Sequence, residues 1–164
     1  LGRHGESVRQ VVLASSANVY GRPSTASIDE SLCPAPINHY ACSKLGMEHM
    51  AATWFEHLPI ILARPFNYTG PGQDERFLVP KIAAHFARRE PFIELGNLNV
   101  SRDFSDVRDV AEVYRRLLMS ASHSLCVNIC SGRSRSLQSI VDACEAITGH
   151  HLEVRVNPAF VRAS

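Results

Sequence analysis

The sequence predicts an α/β fold with a mainly parallel sheet, and three observations carry the prediction. Residues 10–14 and 59–63 are short apolar runs of the kind found in strands covered on both faces. Between and after them lie stretches with apolar residues at helical spacing. Strand-like and helix-like stretches then alternate to the end of the chain, with no internal repeat, low-complexity tract or clear linker.

Taken in order, the first strand at 10–14 leads into a loop over 22–37 that contains proline and serine, and Asn38 can cap the helix that follows. That helix is expected to run to about 57, where Pro59 discourages continuation. A second buried-type strand at 59–63 gives way to the loop Asn67-Tyr-Thr-Gly-Pro-Gly-Gln73. Further helices are expected near 78–90, 107–121 and 136–148, with strand-like runs at 92–95, 125–129 and 152–156. The last helix has the plainest pattern. Leu137, Ile140, Val141, Cys144 and Ile147 fall at helical spacing, and Gly149 supplies a C-terminal stop.

Bulk properties exclude several classes. A chain of 164 residues with 45% hydrophobic content can bury one core. The net charge is +1, from 17 basic and 16 acidic residues, so nothing demands a nucleic acid or a membrane as partner. Arg88-Arg89 and Arg115-Arg116 read as solvated helix faces. No apolar run approaches the roughly 20 residues that span a bilayer. Cysteines 33, 42, 126, 130 and 144 form neither a CxxC pair nor a framework, which suits reduced thiols in a cytoplasmic protein. The eight histidines lack zinc-type spacing, and His150-His151 reads as solvated loop, so no metal site is expected. The chain starts at Leu1 without a methionine and ends at Arg162-Ala-Ser, and it reads as part of a longer polypeptide.

The chemistry centres on Tyr40 and Lys44. On a helix beginning near Asn38, Met47, Met50, Ala51, Trp54 and Phe55 form an apolar stripe, with Tyr40 in its middle and Lys44 at its edge. Residues at i and i+4 are stacked neighbours, so the phenol and the ammonium approach the same space. One reading is a core tyrosine beside a lysine that snorkels to water. The other is a proton-exchanging pair, in which a partly desolvated ammonium favours phenolate. Ser15-Ser-Ala-Asn-Val-Tyr-Gly21 directly follows the first strand, so Ser16 sits where open α/β sheets bind ligands.

Four blocks then occur in order: Ser15 to Gly21; Pro36-Ile-Asn-His-Tyr-Ala-Cys-Ser-Lys44; Ala63-Arg-Pro-Phe-Asn-Tyr-Thr-Gly-Pro-Gly72; and Arg102-Asp-Phe-Ser-Asp-Val-Arg-Asp109. Together they resemble the extended short-chain dehydrogenases: nucleotide-sugar epimerases, 4,6-dehydratases and 4-keto reductases. The resemblance covers nearly the whole chain and implies a doubly wound, Rossmann-like sheet. It implies that Tyr40 is the general acid/base, that Lys44 assists it and holds the nicotinamide ribose, and that Ser16 bonds the reacting sugar oxygen. Pro65 and Phe66 would lie beside the nicotinamide of NAD(H) or NADP(H). Asn67 would bind the sugar or its diphosphate. Arg102 would pair with diphosphate oxygens through its planar fork of donors, unless it pairs with Asp103 or Asp106 instead. Lys81 and the stretch from Glu94 to Asn97, Gly96 included, would wall the nucleotide base. Asn128 and Ser131-Gly132 resemble a substrate-side turn of the family, or form a simple strand-to-helix turn.

The departures narrow the reaction. Where 4,6-dehydratases carry an acidic pair or Ser-Glu after the strand-end hydroxyl, this chain has Ala17 and Asn18, and neither can shuttle a proton. Hydride transfer at one carbon remains, as in a 4-keto reductase or a 4-epimerase. The segment 91–103, with 76–81 before it, looks most like the GDP-sugar branch, nearest the GDP-4-keto-6-deoxymannose reductases that lead to GDP-rhamnose. No glycine-rich pyrophosphate loop precedes Ser15, because Gly2 and Gly5 lie too close to the strand. By resemblance, residues 1–164 are the catalytic and nucleotide-sugar-binding part of such a fold. Residues 1–70 would end the dinucleotide-binding domain, and 71–164 would be largely substrate-binding, the two intertwined. A homodimer is also implied. A reading from another class is a cofactor-less remnant that only holds a nucleotide sugar.

Overall fold

The computed structural model describes residues 7–25, 27–98 and 100–160, so Gly2, Gly5 and the ends at Leu1 and Arg162 lie outside the described residues. In chain order the elements are β1 Val11–Ala14, α1 His39–Ala52, β2 Ile60–Pro65, β3 Asn67–Thr69, α2 Leu78–Ala87 and β4 Phe92–Leu95. They continue with β5 Ser101–Asp106, α3 Val107–Met119, β6 Leu125–Ile129, β7 Ser134–Ser136, α4 Leu137–Thr148 and β8 Glu153–Val156. Short 3-10 turns occupy Ala17–Tyr20 and Pro158–Phe160.

The described residues of Leu1–Tyr68 and Ser105–Cys130 form one compact unit, and those of Thr69–Phe104 and Ser131–Ser164 form a second. Unit 1 is built on a parallel sheet in the order β1-β2-β6, with Val11 opposite Ile60 and Ile61 opposite Leu125. Alternation along β2 sends its residues to two faces. Ile60 and Leu62 pack with Ala51, Phe55 and Leu58 from α1 and the turns after it. Ala63 packs with Val110, Val113 and Leu117 of α3 on the other face. A parallel sheet with a helix on each face is the Rossmann-like arrangement, and every residue of β2 is buried. β1 differs from expectation in being half-buried, and among the described residues its strand neighbour is β2.

Unit 2 pairs β4 with β8 in parallel, Ile93 opposite Val154, and packs α2 and α4 on that pair. Ile82 and Phe86 of α2 meet Leu137 and Val141 of α4 over Ile93 and Leu95. β5 pairs with β7 in antiparallel register.

Caps set the helix starts. The Asn38 side chain accepts from the Ala41 amide at 2.8 Å, and that of Ser136 from the Ser139 amide at 3.1 Å. Asp106 caps α3 by accepting from the Arg108 amide, and the hydrogen bond from the Arg108 guanidinium holds its carboxyl at about 2. Two ends depart from the sequence reading. α1 stops at Ala52 and passes through turns up to Leu58, and Ile147 on α4 is exposed.

Two glycines show different demands. Gly21 has φ +68°, and a Cβ there would lie 2.0 Å from the Ala35 carbonyl oxygen. Gly149 has φ +62° as the α4 cap, with open space around the Cβ position. Gly149→Ala is therefore expected to cost about 1 kcal/mol, the left-handed penalty alone. Gly21→Ala adds a backbone clash and is expected to cost more than about 2 kcal/mol. Urea denaturation of the two variants checks the order.

Candidate functional site

At the carboxyl edge of the unit 1 sheet the chain leaves β1 at Ala14. The Ser15 amide donates to the Ala63 carbonyl at 2.7 Å, continuing the ladder one step past the strand. Ser16 begins the 3-10 turn, and its buried hydroxyl oxygen accepts from the Asn18 amide at 3.2 Å. That leaves the hydroxyl proton available for donation. Lys44 Nζ donates to the Ala14 carbonyl at 2.8 Å, which ties α1 to the same strand end. The Lys44 ammonium lies 5.8 Å from the centroid of the Tyr40 ring, one turn earlier. Pro65 closes β2, and the Phe66 amide donates to the Ile129 carbonyl at 2.9 Å. Asn67 opens β3 and is exposed. Ser16, Lys44, Pro65 and Phe66 thus share one edge of one sheet, where parallel α/β folds collect ligands.

Tyr40 is 51% exposed, so it is not the core tyrosine of the plain reading. The buried face of α1 is made by Ala41, Glu48 and Ala51, while Met50 and Trp54 of the apolar stripe are exposed. The helix has a carboxylate where the stripe suggested only hydrocarbon.

Glu48 is 4% exposed and Arg64 of β2 is 6% exposed, and the two form a bidentate pair. Arg64 Nε reaches Glu48 Oε1 at 2.9 Å, and Nη2 reaches Oε2 at 2.6 Å. Ser15 Oγ also donates to Glu48 Oε1. Arg64 Nη1 donates to the Tyr20 hydroxyl at 2.9 Å, and the guanidinium lies 4.8 Å from the centroid of that ring. Tyr20 in turn donates to Asn128 Oδ1 at 2.8 Å. The Asn128 amide donates to Glu30 Oε1 at 2.6 Å, and its side chain to the Ile28 carbonyl at 3.3 Å. Asn128, which resembles part of a substrate-side turn, is thus committed to holding Tyr20 and the loop around Ile28. Burial pushes the Glu48 carboxyl up, but hydrogen bonds from Arg64 and Ser15 outweigh it and the net shift is downward. The hydrogen bond to Glu48 likewise raises Arg64. For Tyr20 burial prevails over its bond from Arg64, and the phenol is pushed up. Burial also raises Tyr114 on α3, with a smaller contribution from Tyr68 and Tyr40.

The remaining candidates belong to unit 2. Lys81 on α2 donates to the Glu94 carbonyl at 2.7 Å, and its ammonium lies 4.7 Å from the centroid of the Phe160 ring. Gly96 follows directly after β4, two residues beyond Glu94. Arg102 is exposed on β5. Asp106 is held by Arg108, with Nη2 to Oδ2 at 2.6 Å. Asp103 accepts from the Ser131 amide and hydroxyl and from the Arg133 amide. Among the described residues no group of three or more His, Cys, Asp or Glu could hold a metal ion. No described helix is long and apolar enough to cross a membrane.

Sequence reasoning missed Ser15, Tyr20, Glu48 and Arg64. A signal was present: Arg64 interrupts an apolar strand, and an arginine inside a buried strand requires a partner.

Breaking the Glu48–Arg64 pair from one side leaves a buried charge. Glu48→Leu or Arg64→Met alone is expected to cost about 3–5 kcal/mol, and the double variant much less than the sum. A double-mutant cycle by chemical denaturation measures this. Burial pushes the Cys126 thiol up to about 11, so it stays protonated across the neutral range. Iodoacetamide near neutral pH is expected to modify the exposed Cys33 and Cys42 well before Cys126, read by mass spectrometry of the peptides.

Comparison with known proteins adds relatives to this geometry. Residues 3–160 match the family described as GDP-mannose 4,6 dehydratase. A GDP-6-deoxy-D-talose 4-dehydrogenase from Aggregatibacter actinomycetemcomitans is 39% identical over 93% of this chain and 52% of its own length. A GDP-6-deoxy-D-mannose reductase from Pseudomonas aeruginosa is 37% identical over 90% of this chain and 52% of its own. Among solved structures, a candidate epimerase from Burkholderia cenocepacia J2315 superposes with TM-score 0.93 at 49% identity, over 95% of this chain and 52% of that one. RMD from Pseudomonas aeruginosa, solved with NADPH, gives TM-score 0.87 at 34% identity, over 94% of this chain and 54% of that one. The chain spans about half the length of the curated relatives it matches.

Proposed function

We propose a function from one premise: the chain belongs to the GDP-mannose 4,6 dehydratase family, within the extended short-chain dehydrogenases. The protein that carries it reduces the 4-keto group of a nucleotide-linked 6-deoxy sugar, with GDP as the nucleotide. The observation that carries this reading is Lys44, anchored at 2.8 Å on the Ala14 carbonyl beside Ser16, with Tyr40 one helical turn away.

The donor set suits a nicotinamide nucleotide. An ammonium has three N–H donors, and with one on Ala14 two remain for the vicinal hydroxyls of a ribose. Pro65 and Phe66, at the end of the neighbouring strand, give the ring an apolar flank. When bound, NADH or NADPH supplies a hydride to the sugar carbon. Ser16 donates a hydrogen bond to the carbonyl oxygen, and Tyr40 delivers the proton that turns it into a hydroxyl. Carbon gains hydride, oxygen gains a proton, and the atoms balance as alcohol. Asn67 is assigned to binding the sugar or its diphosphate. Lys81, Gly96 and Arg102 are likewise assigned to binding the nucleotide sugar. Residues 1–70 act as the end of the dinucleotide-binding domain, and 71–164 act mainly in substrate binding. Ala17 and Asn18 offer no acid or base for water loss, which counts against elimination despite the family's description. The names of the two GDP-sugar relatives support the substrate class.

A 4-epimerase is the second reading, favoured by the description of the Burkholderia structure. It differs in cofactor use, which is consumed in a reduction and recycled in an epimerisation. The protein is proposed to act in the cytoplasm as a homodimer. The exposed Met50 of α1 and Trp54 in the turns after it support an apolar self-association surface.

In the full-length protein, Tyr40→Phe is expected to lower turnover of a GDP-4-keto-6-deoxy sugar by about 10²–10⁴-fold. NADPH binding is expected to survive that change. Stopped-flow nicotinamide absorbance with parallel cofactor titration reads both, and undiminished turnover in the variant would sink the mechanism.

A further inference from the structure

α1 is tied to the end of β1 at two consecutive residues. Lys44 Nζ donates to the Ala14 carbonyl at 2.8 Å, and one helical turn further on Glu48 Oε1 accepts from the Ser15 hydroxyl. The two ties are unlike. The lysine reaches through a flexible four-carbon stem, so its bond alone sets a position loosely. Ser15 and Glu48 are 3% and 4% exposed, and the carboxylate is already clamped by Nε and Nη2 of Arg64 on β2. Burial pushes the Glu48 carboxyl up, but the bonds from Arg64 and Ser15 outweigh it, so the group stays ionised. A carboxylate only accepts, which fixes the direction of the Ser15 proton and makes the bond charge-assisted.

The ion pair does not require this bond. Arg64 alone gives each Glu48 oxygen a donor. A serine at a strand end can also satisfy its hydroxyl on nearby backbone. Ser15 instead reaches a partner 33 residues away in sequence, on another element. What the bond adds is location. The Ser15 amide is held on the Ala63 carbonyl at 2.7 Å and its hydroxyl on Glu48, so the residue is fixed at both ends. Ser16 follows with extended backbone, φ −161° and ψ 144°, and its carbonyl accepts from the Val19 amide at 3.1 Å. The direction of the Ser16 side chain is therefore inherited from the peptide that Ser15 anchors. Tyr40, Lys44 and Glu48 follow at steps of four along α1, so the anchor that Ser15 holds belongs to the helix that carries Tyr40.

We propose that Ser15 is a positioning residue, whose hydrogen bond to Glu48 sets the direction of the Ser16 hydroxyl relative to Tyr40. This role rests on the reading of Ser16 and Tyr40 given above and adds to it the group that holds the two in mutual geometry.

The test is a double-mutant cycle in the full-length protein, with a GDP-4-keto-6-deoxy sugar and NADPH. Ser15→Ala is expected to lower kcat by about 10–100-fold, as misplacement of a reacting group does, with KM and NADPH affinity unchanged. Ser16→Ala is expected to lower kcat by about 10²–10³-fold, as loss of a donor to the reacting oxygen does. The double variant is expected to match Ser16→Ala, because a residue that acts through Ser16 has nothing left to position. A merely structural role would instead repeat its full loss in the Ser16→Ala background, and that result overturns the proposal. Arg64 still holds Glu48 in Ser15→Ala, so the fold is expected to survive. Ser15→Cys, which fills the same space with a weak donor, replaces it in the same cycle if the alanine variant does not fold. If Ser16→Ala loses turnover while the Ser15 variant keeps that of the parent, only the positioning role falls. If the parent is inactive or Ser16→Ala is as fast as the parent, the reading of the site falls, and the positioning role with it.

Discussion

The buried pair of Glu48 and Arg64 is the joint on which unit 1 depends. It links the middle of α1 to the central strand β2, and through Ser15 it also grips the end of β1. An ion pair among apolar side chains tolerates little sliding, because any shift leaves a charge unpaired where water does not reach it. Hydrocarbon contacts between Ala51, Leu58 and Leu62 would accept a neighbouring register far more readily. The pair therefore fixes how far along the sheet the helix sits. Lys44 is one turn from Glu48 and Tyr40 two turns, so their heights over the carboxyl edge follow from the same constraint. Arg64 extends it through Tyr20 to Asn128 on β6, and from there to the backbone at Ile28.

Polar groups at the strand ends and apolar groups within the strands divide the work. The alternation of β2 builds two cores, one against α1 and one against α3, and leaves Arg64 as the inward polar residue near its carboxyl end. Beyond that point the backbone runs out of ladder partners, and serine, lysine and proline positions take over. Lys44 satisfies the last carbonyl of β1 and still keeps donors for another group. A rigid sheet thus presents its chemistry on short segments that cannot wander far from it.

Much of this was legible in the residues. The strands at 92–95 and 125–129 and the start of the helix at 107 agree with the structure, because apolar runs and capping residues are local signals. Gly149 ends α4 in the left-handed region as its position implied. The β3, β5 and β7 segments were not legible: Arg102-Asp-Phe-Ser-Asp alternates charge rather than hydrophobicity, and ribbons of three to six residues draw their stability from partners distant in sequence. The exposure of Tyr40 could not be read from the sequence for a related reason. Periodicity places a residue on a helix face, but the face that turns inward was decided by Glu48, whose partner lies on another element. In the site, the order of Ser16, Tyr40 and Lys44 could be read, while the network that holds them needed the third dimension.

The chain path through the two units carries a consequence for synthesis. It passes from one unit to the other after Tyr68, returns at Ser105 and leaves again after Cys130. The parallel partner of β4 is β8, near the end of the described chain, and α2 waits for α4 to cover Ile82 and Phe86. A nascent chain at the ribosome can therefore close the unit 1 sheet once β6 has emerged, while β4 and α2, made earlier, still expose their apolar faces. The order of completion is not the order of translation. Unit 2 therefore keeps apolar surface uncovered for longer than unit 1 while the chain is being made.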